Sequence, residues 1–186
     1  WLDIGVLPDY DKLERLAERS AGHALPALGV LTIGRFLPHE DPAQAIRNAV
    51  HHYLIARQLN DDIHDWQEDL LAGRITFVVA ELLRSLHMQP GPQKIARLMP
   101  YAEQQFWRNV LPEMCTYISE QTAQSRAFLD KSGIVMPGNV IEDLLDKLDG
   151  LVTTTKASIA EADAFLEAYK MDTSSSNILH QHAAHE

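Results

Sequence analysis

Apolar residues recur at helical spacing along most of the chain, and Pro or Gly marks the breaks between the runs. Leu13, Leu16 and Ala17 form an early apolar face behind Asp9 or Asp11 as N-cap, and the spacing stays helical to about Leu37. From Ala21 to Gly34 the chain is apolar nearly all round, which predicts a buried core helix or the wall of a cavity, kinked or restarted at Pro26. Pro38 to Pro42 reads as a loop, with Asp41 as N-cap and Pro42 at the first helical position of a helix running from Ala43 to about Leu71. A helix of that length suits a bundle. Gly73 is its stop signal. The apolar segment Ile75 to Leu83 follows; its β-branched start would allow a strand, but no alternating partner is visible elsewhere.

After a turn at Gln89 to Pro92, helical spacing resumes from Gln93 to about Leu111 with an irregularity expected at Pro100. Further helices are expected from Pro112 to about Leu129, from beyond Asn139 through Leu151, and from about Thr155 to Tyr169. These elements predict an all-α helical bundle forming a single domain over residues 1–171. Residues 172–186 read as a flexible polar tail in which His180, His182 and His185 are too irregularly spaced for a metal site.

The densest chemistry lies in Gln58 to Arg74, where Asp61, Asp62, Asp65, Glu68 and Asp69 fall within nine residues of one helix. At about 100° per residue the five carboxylates share about 120° of the circumference, opposite Leu59, Ile63, Trp66 and Leu70. Such a helix either shows an acidic face to water or points it at cations. Carboxylate oxygens are hard ligands suited to Mg²⁺, which commonly bridges a few of them to phosphate oxygens. A second acidic run, Glu142, Asp143, Asp146 and Asp149, reads instead as the polar side of an amphipathic surface helix.

Composition narrows the partners. A formal net charge of −10 argues against a duplex nucleic-acid binder, which needs clustered Lys and Arg. No apolar run is long enough for a membrane span, which leaves peripheral membrane contact as the membrane mode compatible with the chain. One cysteine, Cys115, cannot form an internal disulfide, so a reducing, cytoplasmic setting is expected and Cys115 reads as structural.

Gln58-Leu59-Asn60-Asp61-Asp62-Ile63-His64-Asp65 resembles the second aspartate-rich motif of trans-prenyltransferases. Asp65-Trp66-Gln67-Glu68-Asp69, followed by Gly73-Arg74, is similar to the second motif of the squalene and phytoene synthase branch. Both belong to the class I isoprenoid synthase superfamily, all-helical enzymes that act on prenyl diphosphates. The resemblance implies Mg²⁺ held by Asp61, Asp62, Asp65 and Asp69 with Glu68 as an auxiliary ligand. It also implies Gln58 and Arg74 on the diphosphate, and ionisation to an allylic cation for prenyl transfer, coupling or cyclisation. Read without it, Arg74 could be a cation at a helix C-terminus, favoured by the macrodipole. His64, His51 and His52 read as packing or supporting residues.

The superfamily's first aspartate-rich motif is absent from the 60 residues before Asp61, and Arg19-Ser20-Ala21 stands where chain-elongating members carry a Lys-Thr pair. The chain is therefore expected to be the C-terminal portion of a larger isoprenoid synthase fold, with the first motif supplied by upstream sequence or by a partner chain, a homodimer included. The alternatives are a non-catalytic helical partner, regulatory subunit or prenyl-ligand binder of the same fold, or an unrelated module with a solvated acidic face.

Overall fold

The computed structural model describes residues 2–4, 7, 9, 11, 13–15, 17, 41–88, 91–93, 95–134 and 140–182. Its elements are β1 (Leu2–Ile4), α1 (Asp41–Leu71), α2 (Phe77–Ser85), β2 (Gly91–Gln93), α3 (Ile95–Gln105), a π-helical segment (Phe106–Val110), α4 (Leu111–Ser132) and α5 (Val140–His182). The chain is all-α, as its periodicity predicts, apart from one short antiparallel pairing in which Leu2 faces Gln93 and Ile4 faces Gly91. Part of the expected turn at Gln89–Pro92 is thus a three-residue strand, whose partner lies almost 90 residues away and has no alternating pattern of its own. The apolar stretch Ala21 to Gly34, the Arg19-Ser20-Ala21 segment and His185 lie outside the described residues. No described helix is long and apolar enough to cross a membrane.

The chain forms two compact units, Trp1–Val152 and Thr153–Glu186. In the first unit, α1 is the central element and α4 its main partner. The two run antiparallel: Trp66 stacks on Phe106 with ring centroids 4.6 Å apart, Gln67 reaches Glu103, and nearer the start of α1 His52 meets Gln121. Alanines let the backbones approach. Ala43, Ala45, Ala49 and Ala56 are all buried, and the buried Ser125 hydroxyl donates to the Ala49 carbonyl at 2.8 Å. Ile46, Ile55, Leu59 and Leu70 fill the seam with Met114 and Ile118 from α4 and with Val78, Leu82 and Leu83 from α2. Cys115 is buried among them, in keeping with a packing role.

The irregularity expected at Pro100 falls elsewhere. Helix α3 continues through Pro100, and the distortion is the π-helical segment just before Pro112, where the Leu111 N–H bonds back to the Phe106 carbonyl. Pro112 has no N–H for the Arg108 carbonyl and its ring crowds that oxygen, so the preceding turn widens. The two helices expected beyond Asn139 are one, α5, since Leu145, Leu148 and Val152 stay buried on one side and no atom crowds Gly150. The helix runs on to His182, over most of the residues read as a polar tail.

Helix α1 ends as its sequence foretells. Gly73 takes φ 71°, its N–H donates to the Leu70 carbonyl, and the Arg74 N–H donates to the Asp69 carbonyl at 2.8 Å. This is a Schellman closure that needs a left-handed residue after the last turn. Gly73→Ala is expected to lower stability by about 1 kcal/mol, since a Cβ disfavours that conformation. A shift in urea midpoint without a change in slope would register it.

Candidate functional site

The seven residues singled out in Gln58 to Arg74 all lie on the last four turns of α1 and the loop that follows, and the structure sorts the acids into two groups. Asp61, Asp65 and Glu68 are exposed along one line of the helix, at spacings of four and three residues. Asp62 and Asp69 are buried, one helical heptad apart, on the margin where the acidic arc meets the apolar face. Asp62 and Asp69 stand some 40° to 120° nearer Trp66 and Leu59 than the other three do, on the side that a neighbouring helix can cover, and the Phe77 N–H at the start of α2 meets Asp62 there.

Each buried acid has protein partners. The Gln58 amide donates to Asp62 at 2.7 Å, and the backbone N–H of Phe77, the first residue of α2, donates to the same carboxyl. With the Thr76 hydroxyl accepting from the Val79 N–H, Asp62 helps to satisfy the open N-terminus of α2, where the helix dipole favours negative charge. Burial nevertheless dominates: it pushes the Asp62 carboxyl up to about 6, the Gln58 and Phe77 hydrogen bonds oppose this, and the charges of Asp69 and Asp61 add to it. Asp69 is joined by the Arg74 Nε at 2.7 Å; the Asp69 side chain is 9% exposed and that of Arg74 60%. The Gly-Arg pair therefore closes α1 twice, through the Schellman backbone bonds and through the ion pair.

Among the exposed acids, Asp61 has Arg57 at 3.8 Å, one turn back. Among the described residues no group of three or more His, Cys, Asp or Glu converges into a metal-binding cluster. His64 Nδ1–H donates to the Asn60 carbonyl at 2.7 Å, and His52 Nδ1–H to Gln121 at 2.7 Å while its ring stacks on Phe128. His52 is half-buried and packed as expected, whereas His64 is exposed.

Two arrangements were not evident from the sequence. One is a cavity of about 610 Å³ lined by residues that include Asp9, His52, Glu81, Tyr117, Glu120 and Gln121, none of them among the seven. Phe77 links the two places, its N–H on Asp62 and its ring on the cavity wall. Burial raises the Glu81 carboxyl against the pull of Arg84, and burial with the neighbouring Glu113 raises the Tyr117 hydroxyl. Residues that meet there from the N-terminal segment, α1, α2 and α4 share no local spacing that a sequence motif could carry. The other is the fate of the second acidic run. Arg126 of α4 binds Glu142, Asp146 and Asp149 of α5 at 3.2, 2.6 and 2.5 Å, and the Thr122 hydroxyl adds a bond to Asp149 at 2.7 Å. That run ties two helices together.

No protein-family model, curated protein or solved structure matches the chain.

Proposed function

We propose that the chain provides the second-motif half of a class I isoprenoid synthase-like site, in which Asp61, Asp65 and Glu68, which form no closed metal cluster by themselves, would offer oxygens to Mg²⁺ whose other ligands come from a prenyl diphosphate and the first motif. The observation that carries this reading is the exposed line of three carboxylates, backed by two more that are already fixed in place. Their oxygens are the hard donors that Mg²⁺ takes while keeping part of its water, and exposed carboxylates can reach an ion whose remaining ligands come from phosphate. Mg²⁺, when bound, supplies Lewis-acid stabilisation of the departing diphosphate.

The chain's own residues do the positioning. Arg74 keeps a 60% exposed side chain beside the acids, with its Nε on Asp69, and a guanidinium offers further N–H donors that suit phosphate oxygens. Asp62 and Asp69 act from below. They fix the end of α1 to α2 and to the Gly73 closure, so the exposed acids sit on a rigid turn. Prenyl transfer, coupling or cyclisation on this reading needs the first acidic motif from upstream sequence or a partner chain.

A second reading has an observation of its own. The partners of Asp62 and Asp69 are protein groups that a purely structural role would also require, which favours a helical partner or regulatory protein with a solvated acidic face. Calorimetric titration with Mg²⁺ and a non-hydrolysable prenyl diphosphate analogue separates the two. On the first reading, binding requires Mg²⁺ and the Asp61→Ala, Asp65→Ala double variant binds at least about tenfold more weakly. Equal affinity in variant and parent, or no Mg²⁺-dependent binding, leaves the second.

A further inference from the structure

The cavity of about 610 Å³ between the N-terminal segment, α1, α2 and α4 includes none of the acids of the Gln58 to Arg74 stretch in its described lining, and it has a chemistry of its own. All its described lining residues belong to the unit Trp1–Val152. Phe77 and Gln121 are buried and form its inner wall, where the rings of Phe77 and Tyr117 meet edge to face with centroids 6.3 Å apart. Asp9, Glu14 and Glu120 line it as exposed residues, and Glu81 is half-buried. Among the described lining residues these four carboxylates stand against one guanidinium, that of Arg84, which Glu81 already binds.

We propose that this cavity binds an aliphatic polyamine, a chain of protonated amines joined by methylenes. An acidic rim by itself would be a solvated surface. The concave volume and the aromatic pair make the difference, because a cavity of this size suits a small molecule and aromatic walls suit one with apolar parts. Methylenes pack on the Phe77 and Tyr117 rings while ammonium groups are drawn to aromatic faces and to carboxylates, so one molecule meets both needs. Burial raises the Glu81 carboxyl, Arg84 opposes this and Glu113 adds to it, so a further positive charge nearby favours the ionised acid.

Other ligand classes fit less well. An inorganic divalent ion needs several ligands at one point, and among the described residues no group of three or more acids, histidines or cysteines converges in that way. Charges spaced along a chain match carboxylates spaced around a cavity. An anion would find Arg84 already paired and like charges on every side. A neutral apolar chain, a prenyl tail included, would strip water from the carboxylates without replacing it. The overall charge of −10 adds attraction for any cation but selects no place. A test must therefore separate this cavity from acidic surface in general.

Isothermal titration calorimetry of spermidine into the full chain, in about 0.15 M salt, does so. The expected dissociation constant is on the order of 10–100 µM, and putrescine, with one amine fewer, should bind several-fold more weakly. Glu14→Gln combined with Glu120→Gln removes two charges from the lining at exposed positions and should weaken spermidine binding about tenfold. Asp61→Ala combined with Asp65→Ala removes as many charges from positions that do not line the cavity, and should leave the affinity within about twofold of the parent. Tyr117→Leu keeps every carboxylate and should weaken binding about threefold through the lost ring, with circular dichroism confirming the fold. A parent chain that binds spermidine no more tightly than about 1 mM overturns the proposal. Equal weakening by the two double variants also overturns it, since that marks diffuse attraction to an acidic surface. So does displacement of spermidine by an equal concentration of Mg²⁺, which marks an inorganic ion site. The polyamine proposal stands apart from the Mg²⁺ and diphosphate reading, and either can fail without the other.

Discussion

Replacing Asp62 with Asn is expected to stabilise the protein by about 2 kcal/mol at pH 7 and by almost nothing near pH 4. Asp62 is buried and its carboxyl is pushed from 3.8 up to about 6, chiefly by loss of hydration. The folded state therefore binds the proton more tightly than the unfolded chain does. The stabilising contribution of that proton is fully present below about 4 and is lost as pH rises through about 6. Carrying the charge at neutral pH thus costs roughly 3 kcal/mol relative to a neutral group. Asn is neutral at every pH and nearly isosteric. Its carbonyl can still accept from the Phe77 N–H, while its amide must share a new arrangement with Gln58, which removes part of the gain. Urea unfolding of both proteins between pH 4 and 7.5 checks this: the two stabilities should draw apart as pH rises from about 4 to about 6 and keep a constant separation above that. A constant offset over the whole range would show that hydrogen bonding, and not the buried charge, sets the difference.

The parts of the fold legible in the sequence are those set by local physics. Helix α1 begins at Asp41 beside Pro42 and ends at Leu71 before Gly73, close to the expected bounds, because a cap, a proline and a glycine each act within a turn. The five-acid arc was legible as an angle, yet its division was not. Whether a margin residue such as Asp62 is buried depends on α2 folding back over it, and the Phe77 N–H that meets it comes from the next helix. Arg74 illustrates the same limit. Its spacing from Asp69 suits a phosphate ligand and a helix-end cation equally, and the Schellman turn is what brings Nε to 2.7 Å from the carboxylate. The union of the last two expected helices into α5 escaped for another reason. Gly150 and the Thr153 to Thr155 run lower helix propensity locally, while the burial of Leu145, Leu148 and Val152 outweighs it.

Arg126→Met is expected to lower stability by about 2 kcal/mol at low ionic strength, through loss of the contact between α4 and the start of α5. One guanidinium serves three carboxylates: Nε meets Glu142, Nη2 meets Asp146 and Nη1 meets Asp149. Glu142, Asp146 and Asp149 lie at spacings of four and three on the same helical face, so removing the cation leaves like charges side by side. Water screens part of this, since the Asp146 side chain is 72% exposed, and single pairs of that kind contribute little alone. The network gains from geometry, because the planar fork satisfies all three acids without a second cation to order. Methionine preserves most of the aliphatic stem, so the measured loss reports the charges. It should shrink in roughly 1 M salt, where screening acts within about 3 Å. Arg126→Lys should recover less than half of it, because an ammonium cannot span three partners set out along two helical turns. Amide exchange offers the local readout: in Arg126→Met, protection of residues 140–152 should fall further than protection of α1. If both fall equally, the triad is not what holds α5 to the bundle, and the buried Leu145 and Leu148 carry that contact alone.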